Sequence, residues 1–562
     1  MAGIAAPVTP LAMDSREGVA PVAPDNALPA KDEDGDHEGA VAPRVVPHRL
    51  VLASIFLVYV LTRYPDVGGR INMGDSAKFQ FLARTLGIGH SPGNPLYLML
   101  SALWVRIPLP LADSTKMTLL SGVFAIVTVI LLSRAVGLLG VPPVLRRPFV
   151  LETKSFAAIL LGLGSLFWTL ATEAEVYTLG TVFIAGTVLG TIGWTKREDR
   201  RSLLLAIGCL GFGMANHLTI AALGPGLLVV LLRDARGREA LRSVRLWAVA
   251  LGALALAVLA YGWIAWRLTK APLVYSEFPK TIDTQTFLAF VTARGVVAGT
   301  YSKTTYAGAV FERLPDLFAH LQQQWAWPLL LCLPFGAIRL ARLDRALAIF
   351  LSMGVLGHLV LAFVFRIPDP EGLFTSVAVL VTVPLALVPA SVEADLTPAG
   401  RVVTGPRAFV VMVLVHGALI AAHLERWRTD LYTAYVQQTP EGRVVLNLPT
   451  LADVVPDGAK VAVPCGHYGC VEVVSYYRFA DPALREKRVT FVRFPWSEWD
   501  EGTSSVPLVA DPRARRERPL CVLLQQDVAK LNELGLKPEA IARPPARVLG
   551  RSFVSGPLHC LR

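Results

Sequence analysis

Charge is scarce in this chain: only 17% of its 562 residues are Asp, Glu, Lys or Arg, while 53% are hydrophobic. A soluble globular domain carries about a quarter charged residues, so this composition argues against one and for a chain that crosses a membrane several times. Also missing is any basic face or recognition motif to accompany the net charge of +11. The basic residues fall in short clusters between apolar runs, a positive-inside pattern that makes nucleic acid an improbable partner. Cysteine is sparse, at six. Cys209 and Cys332 lie in apolar runs and read as small buried hydrophobes. Cys465, Cys470, Cys521 and Cys560 fall in the polar C-terminal region, where an even set suggests one or two disulfides and an oxidising compartment. Cys465 with Cys470 and Cys521 with Cys560 is the favoured pairing. A zinc site is the weaker reading, because Cys465 and Cys470 flank His467 but no second compact ligand pair follows. No internal repeat is visible. The chain is expected to open without a cleavable signal peptide: residues 1–46 form an Ala-, Pro- and acid-rich tail expected to be disordered and cytoplasmic.

What is present is a series of about eleven apolar runs, near 48–64, 115–138, 155–172, 174–195, 202–216, 218–232, 246–266, 325–341, 346–366, 373–391 and 408–424. By length they read as a mostly α, polytopic membrane domain over 47–424, with some runs short for a crossing. Charge arranges them. Arg146, Arg147 and Lys154 precede 155–195, and Lys196, Arg197, Arg200 and Arg201 follow it, so this segment is a hairpin with Glu173-Ala174-Glu175 at its tip. The same reasoning makes 202–232 a hairpin around Asn216-His217, and 346–391 one around Asp369-Pro370-Glu371. All three tips then point away from the cytoplasm, as do Asp75 and His90 beyond the first run. Two outer loops, 65–114 and 267–324, join these crossings. Within the first, apolar spacing predicts one short helix from Asp75 to about Gly87 and another from Pro95 to about Ile107, both lying in the interface. From about 425 to 562 the chain turns polar. Strand-like runs (Lys460–Pro464, Val489–Phe494, Leu520–Leu524) alternate there with helix-like ones (Val471–Phe479, Asp527–Leu534), which predicts a small extracytoplasmic α/β domain.

Ionisable groups near a bilayer are costly and usually functional. Asp75 is the candidate base, since a carboxylate at the membrane surface is suited to take a proton from a hydroxyl; it is also a natural helix N-cap. Lys78 and Arg84 stand near head-group level, where they either snorkel to anionic lipid or bind a lipid-linked phosphate. His90 reads as a turn residue or a site residue, while Pro92, Gly93 and Pro95 fix a rigid turn. Glu173 and Glu175 sit beside Val176-Tyr177 with no polar loop between, so at least one faces an internal cavity. His217 follows a glycine-spaced segment, Gly208 to Gly213, that suggests tight helix packing. Arg294, Asp369 and Glu371 complete the candidate set.

Gly74-Asp75-Ser76, then His90-Ser91-Pro92-Gly93-Asn94-Pro95-Leu96-Tyr97, then Glu173-Ala174-Glu175-Val176-Tyr177-Thr178-Leu179, then Asn216-His217-Leu218-Thr219 form an ordered set. As a set, they resemble the transmembrane protein O-mannosyltransferase-like family of the GT-C superfamily of membrane glycosyltransferases. The resemblance covers about 48–235 and extends less securely to Phe287–Arg294 and Ile367–Glu371. Two features depart from it. Ala77-Lys78 stands where family members often carry a glutamate, and Ser91 replaces a proline of the usual His-Pro-Pro-Gly turn.

The resemblance implies a GT-C-like fold and a polyprenyl-phosphate sugar as donor. The acceptor would be a protein, lipid or glycan hydroxyl, and the work would be done at the extracytoplasmic face of what is expected to be a bacterial inner membrane. Asp75 would act as base. Lys78, Arg84, His90 and Arg294 would stabilise the leaving phosphate, with Glu173, Glu175, Tyr177, His217, Asp369 and Glu371 in the substrate site. No cofactor is certain. A divalent cation, magnesium or manganese, held by Asp75 with Glu173 or Glu175 is a candidate. The rivals are a lipid-linked-sugar flippase, which shares spans and buried charges, and a non-catalytic envelope assembly protein.

Overall fold

The structure is a computed structural model. It describes residues 44–64, 74–141, 149–270, 283–294, 306–364, 371–394, 405–432 and 451–463, with short stretches around 275 and between 475 and 561. The acidic tail, Cys465, His467, Cys470 and Asp369 lie outside the described residues.

Each of the eleven apolar runs is helical over most of its length. The helices are α1 (His48–Thr62), α2 (Gly74–Thr85), α3 (Pro95–Val105), α4 (Asp113–Gly137), α5 (Thr153–Gly162), α6 (Ser165–Ala171), α7 (Tyr177–Arg197) and α8 (Arg200–Gly213). After a 3-10 turn at Leu218–Leu223 come α9 (Gly224–Leu232), α10 (Ala235–Leu241), α11 (Val244–Lys270), α12 (Thr284–Val291), α13 (Tyr306–Leu331), α14 (Leu333–Leu343), α15 (Arg345–Val364), α16 (Glu371–Ala394) and α17 (Gly405–Tyr432). The two short helices expected between the first crossings are α2 and α3. The expected end of the membrane domain at 424 falls inside α17.

The count of crossings differs from the run count. Among the described residues, six helices are long and apolar enough to cross (α4, α7, α11, α15, α16 and α17), or up to eight if each bent pair is one span. These make the chain an integral membrane protein. The remaining runs fold as shorter helices. Run 155–172 is broken into α5 and α6, which meet at 69°. That break has a visible cause and a visible remedy. The bend frees backbone groups at its corner, and Gln324 of α13 inserts there. Its Nε2 donates to the Leu160 and Leu161 carbonyls at 3.3 and 3.2 Å, and its Oε1 accepts from the Phe167 N–H at 3.0 Å. Gly164 leaves the room, since a Cβ on it would lie 2.0 Å from Gln324 Nε2.

Close packing elsewhere uses the same means. Gly186-Thr187-Val188-Leu189-Gly190 on α7 is a small-xxx-small stripe, and a Cβ on Gly190 would meet the Ser202 carbonyl at 2.5 Å on α8. With no hydrophobic drive between helices in lipid, such contact is what holds them.

The C-terminal region carries a five-stranded sheet in the order Thr490–Arg493, Lys460–Val463, Leu520–Val522, Leu558–Leu561, Glu539–Ile541. The first three strands are parallel and the last two pairings antiparallel. Cys521 and Cys560 face each other across it and form a disulfide. The sheet region does not stand apart from the helices. Leu451, Val455, Tyr476, Tyr477 and Leu484 share one apolar core with Phe79, Phe81 and Leu82 of α2 and Leu98 of α3.

Replacing Gln324 by Leu should orphan three backbone groups in an apolar interior, at about 1–3 kcal/mol each. The melting temperature of the detergent-purified variant is expected to fall well below wild type, and a Tm within a degree of it would refute this role.

Candidate active site

Asp75 lies in the first turn of α2, not before it, and its carboxylate is held from both sides. Oδ2 accepts from His90 Nε2 at 2.6 Å, and Oδ1 accepts from Lys78 Nζ at 3.1 Å. The other His90 nitrogen, Nδ1, lies 2.8 Å from the Ser91 carbonyl. Both of its partners are acceptors, so His90 uses two N–H groups and is an imidazolium. Burial pushes Asp75 up, but the His90 and Lys78 charges outweigh it and hold the carboxyl well below the usual range. For His90, burial lowers the value, while the Asp75 carboxylate overrides it and raises the ring above its ordinary 6.5.

The turn that carries His90 is tightly built. Gly93 N–H donates to the His90 carbonyl at 2.7 Å, and Ser91 Oγ donates to the Phe290 carbonyl of α12. Gly93 has φ +89, and a Cβ there would stand 2.7 Å from Ile264 and 3.0 Å from Phe290. Only glycine meets both demands. The Phe79 ring contacts the rings of both His90 and Tyr97 edge-on.

Lys78 is fully buried and bridges Asp75 to Glu277, whose Oε1 lies 2.8 Å from Nζ. Tyr275 OH donates to the same oxygen at 2.9 Å. Two backbone bonds, Ile88 N–H to the Tyr275 carbonyl (3.1 Å) and Glu277 N–H to the Ile88 carbonyl (3.0 Å), dock this piece of the second outer loop onto the first. The expectation that Lys78 snorkels to lipid is therefore corrected: its ammonium is paired inside the protein.

Ser76 Oγ accepts from the Ala174 N–H at 2.9 Å. That bond sets the Glu173-Ala174-Glu175 tip against the start of α2, at the same end of the bundle as Asp75. Glu173 and Glu175 are both buried, and Glu175 N–H donates to Ser121 Oγ at 3.1 Å. Tyr177 opens α7 and its ring lies 5.9 Å from that of His217. Asn216 Nδ2 donates to the Val176 carbonyl at 3.1 Å, tying the His217 turn to this tip. Burial lowers His217 to about 4, helped by repulsion from His90 and His358, so it is neutral beside the charged His90. At Glu371, α16 begins, and the next residue, Gly372, abuts the Tyr177 ring.

One candidate lies apart. Arg84 stands nine residues along α2, about 13 Å from Asp75 by helical rise. Its Nε and Nη2 bind Asp113 at 2.6 and 2.7 Å, so the guanidinium is committed to tying α2 to α4. Arg294 is exposed just beyond α12. The donor set does not suit a hard divalent cation. Both Asp75 oxygens face cations, and among the described residues no three His, Cys, Asp or Glu are placed to share a metal. Sequence reasoning missed Glu277 and Tyr275, and gave Ser76 no role of its own. A lone acid in a long loop gives no signal of the lysine it will meet.

Residues 75–241 match the family model described as "Protein O-mannosyl-transferase TMEM260 N-terminal domain". The resemblance read from the motifs holds over this segment. Among curated proteins, protein O-mannosyl-transferase TMEM260 of Mus musculus is 28% identical over 175 residues, which are 30% of this chain and 23% of that protein. The match thus spans under a quarter of that relative. Among solved structures, ArnT from Cupriavidus metallidurans bound to undecaprenyl phosphate aligns with a TM-score of 0.51 at 12% identity. This alignment covers 91% of this chain and 97% of that one. Arabinofuranosyltransferase AftD from Mycobacteria gives 0.46 at 14%, covering 92% and 40%. The ArnT alignment shows a shared fold. Within the TMEM260-like segment lie Asp75, Lys78, Arg84, His90, Glu173, Glu175, Tyr177 and His217, whereas Glu277, Arg294, Asp369 and Glu371 fall outside it.

Gly93→Ala is expected to cost about 1–2 kcal/mol from left-handed strain alone, before the clash with Ile264 and Phe290. Its Tm should fall, and any donor binding should weaken with it; an unchanged Tm would contradict the described turn.

Proposed function

We propose that this chain is a membrane glycosyltransferase that moves a sugar from a polyprenyl-phosphate-linked donor to an acceptor hydroxyl. The observation that carries the reading is the Asp75 carboxylate, fixed between two cations at the bundle end where Glu173 and Glu175 also gather. The TMEM260-like segment and the GT-C fold support the same reaction class. So does the ArnT structure, in which undecaprenyl phosphate is bound.

In this reading the acceptor oxygen attacks the anomeric carbon as the bond to the phosphate oxygen breaks. The electron pair leaves on the phosphate, and the acceptor proton passes to Asp75. A carboxylate with so depressed a pKa is a weak base, so the proton moves late, once bond formation has made the hydroxyl acidic. The partly exposed His90 imidazolium is the cation able to meet the leaving phosphate, at 33% exposure against 0% for Lys78. Electrostatic help there matters more than an acid, because the leaving group is already good. Lys78 acts on Asp75 instead. The acceptor is a protein, lipid or glycan hydroxyl, and no step is assigned to a metal.

A cytoplasmic N-terminus, with the basic clusters on the same side, would leave the C-terminal region outside, on the side of Asp75. Tyr476 OH accepting from Ser114 N–H at 3.4 Å supports that shared side. The proposed location is a bacterial inner membrane with the site on its extracytoplasmic face.

Purified protein incubated with radiolabelled polyprenyl-phosphate sugar should release label from the lipid, and Asp75→Asn should slow release by roughly 10²–10⁴-fold. Label carried across vesicles without cleavage would instead mark a flippase and sink the proposal.

The pH profile carries a second expectation. His90 is charged below its raised pKa, so activity should fall as pH climbs through a value above the ordinary 6.5. Asp75 is ionised above its depressed pKa, so the acid limb should lie below the usual carboxylate range. In His90→Gln the basic limb should vanish and the acid limb should rise; an unmoved profile would remove His90 from the mechanism.

A further inference from the structure

Three aromatic rings from distant parts of the chain meet behind Lys78. Phe81 of α2 lies 4.9 Å from Tyr275 of the second outer loop and 5.8 Å from Phe479 of the C-terminal region. Tyr275 and Phe479 are 6.2 Å apart, closing the triangle. Tyr275 OH holds Glu277 Oε1, and that oxygen is closer to Lys78 Nζ (2.8 Å) than Asp75 Oδ1 is (3.1 Å). Lys78 is fully buried, so no solvent competes for its charge.

We propose that Phe479, Tyr275 and Glu277 are positioning residues through which the C-terminal region sets how much of the Lys78 charge reaches Asp75. The charge of Lys78 is shared. An ammonium divided between two carboxylates in a dry site neutralises each in part, and the split depends on distance. Glu277 keeps its place because Tyr275 donates to it and because its backbone is bonded to Ile88. The Tyr275 ring keeps its place because Phe479 and Phe81 pack on it, with edge-on contacts of the kind worth about 0.5–1.5 kcal/mol each. Phe479 comes from the segment that also supplies Tyr476 and Tyr477 to the core shared with α2. The C-terminal region is thereby a wall of the site's electrostatics, without touching substrate.

The inference rests on the reading of Asp75 as the base, and the test separates the two. Asp75 faces His90 and Lys78. His90 faces Asp75, with the Lys78 charge and neutral His217 nearby. Glu277→Gln leaves Lys78 undivided toward Asp75 and His90. The extra positive charge should make Asp75 a weaker base and His90 a stronger acid. Label release by full-length protein should then fall on the order of tenfold in kcat with KM little changed. The basic limb of the pH profile should also move to lower pH. Tyr275→Phe and Phe479→Ala should shift that limb the same way by less, and Phe479→Leu, which refills the space, should restore it. In the Glu277→Gln background Phe479→Ala should add almost nothing, because both act on one link.

If Asp75→Asn abolishes release while Glu277→Gln and Phe479→Ala leave the basic limb at its wild-type position, the relay is wrong and the base assignment stands. If Asp75→Asn releases label normally, the base assignment fails first. A Phe479→Ala variant that lowers Tm without moving the limb assigns Phe479 to packing alone and also overturns the relay.

Discussion

A carboxylate taken out of water needs cations close by, and in this protein that requirement organises the surroundings of Asp75. Moving an unpaired carboxylate to a low-dielectric site costs several kcal/mol even after relaxation. Asp75 avoids this through Lys78, one helical turn away, and through His90, brought back by a rigid turn. Lys78 in turn would have to share one carboxylate with His90 were Glu277 not docked against it. The four groups carry two charges of each sign, so the cluster is close to neutral while Asp75 itself stays ionised. Gly93, the Ser91 bond to Phe290 and the Ile88–Tyr275 contacts all serve to keep these partners in reach.

The second constraint comes from the bilayer, which offers no hydrogen bonds to stray backbone. It explains why a helix break inside the bundle calls for a side chain to answer it. Gln324 at the α5–α6 corner is the plainest example, satisfying two carbonyls and one N–H at once. The same logic places the irregular backbone of residues 172–176 and 214–217 against α2, α3 and one another, never against lipid: Ala174 bonds Ser76, Asn216 bonds Val176, and Leu96 bonds Ala215. These turns are where the ionisable side chains sit. Site and fold are thus products of one rule, that polar groups at membrane depth must gather.

Much of this is legible in the sequence. Hydrophobic runs of the right length, separated by arginine clusters, gave the helical membrane architecture, because a bilayer leaves few alternatives for such segments. The motifs around Asp75, His90, Glu173 and His217 pointed to one end of the bundle, and Ser76 and Asn216 make the contacts that join them there. Arg84 shows the limit of such reading. An arginine at head-group level suits a phosphate or an aspartate equally well, and only packing against α4 chose Asp113. The run count overshot the six to eight long spans for a related reason: hydropathy reports what prefers lipid, not whether a segment is bent, as between α5 and α6.

By itself, the sequence determined the solvent: its apolar runs and basic clusters commit it to a membrane, and local motifs commit Asp75 and the His90 turn to polar exits between helices. Only the tertiary structure decided the partners. Lys78 met Glu277, about two hundred residues away, and the C-terminal sheet came to rest on α2 beside Phe81. Pairing of that kind depends on through-space distance in a dry interior, where charges separated by long stretches of chain act as neighbours. No spacing along the polypeptide encodes it.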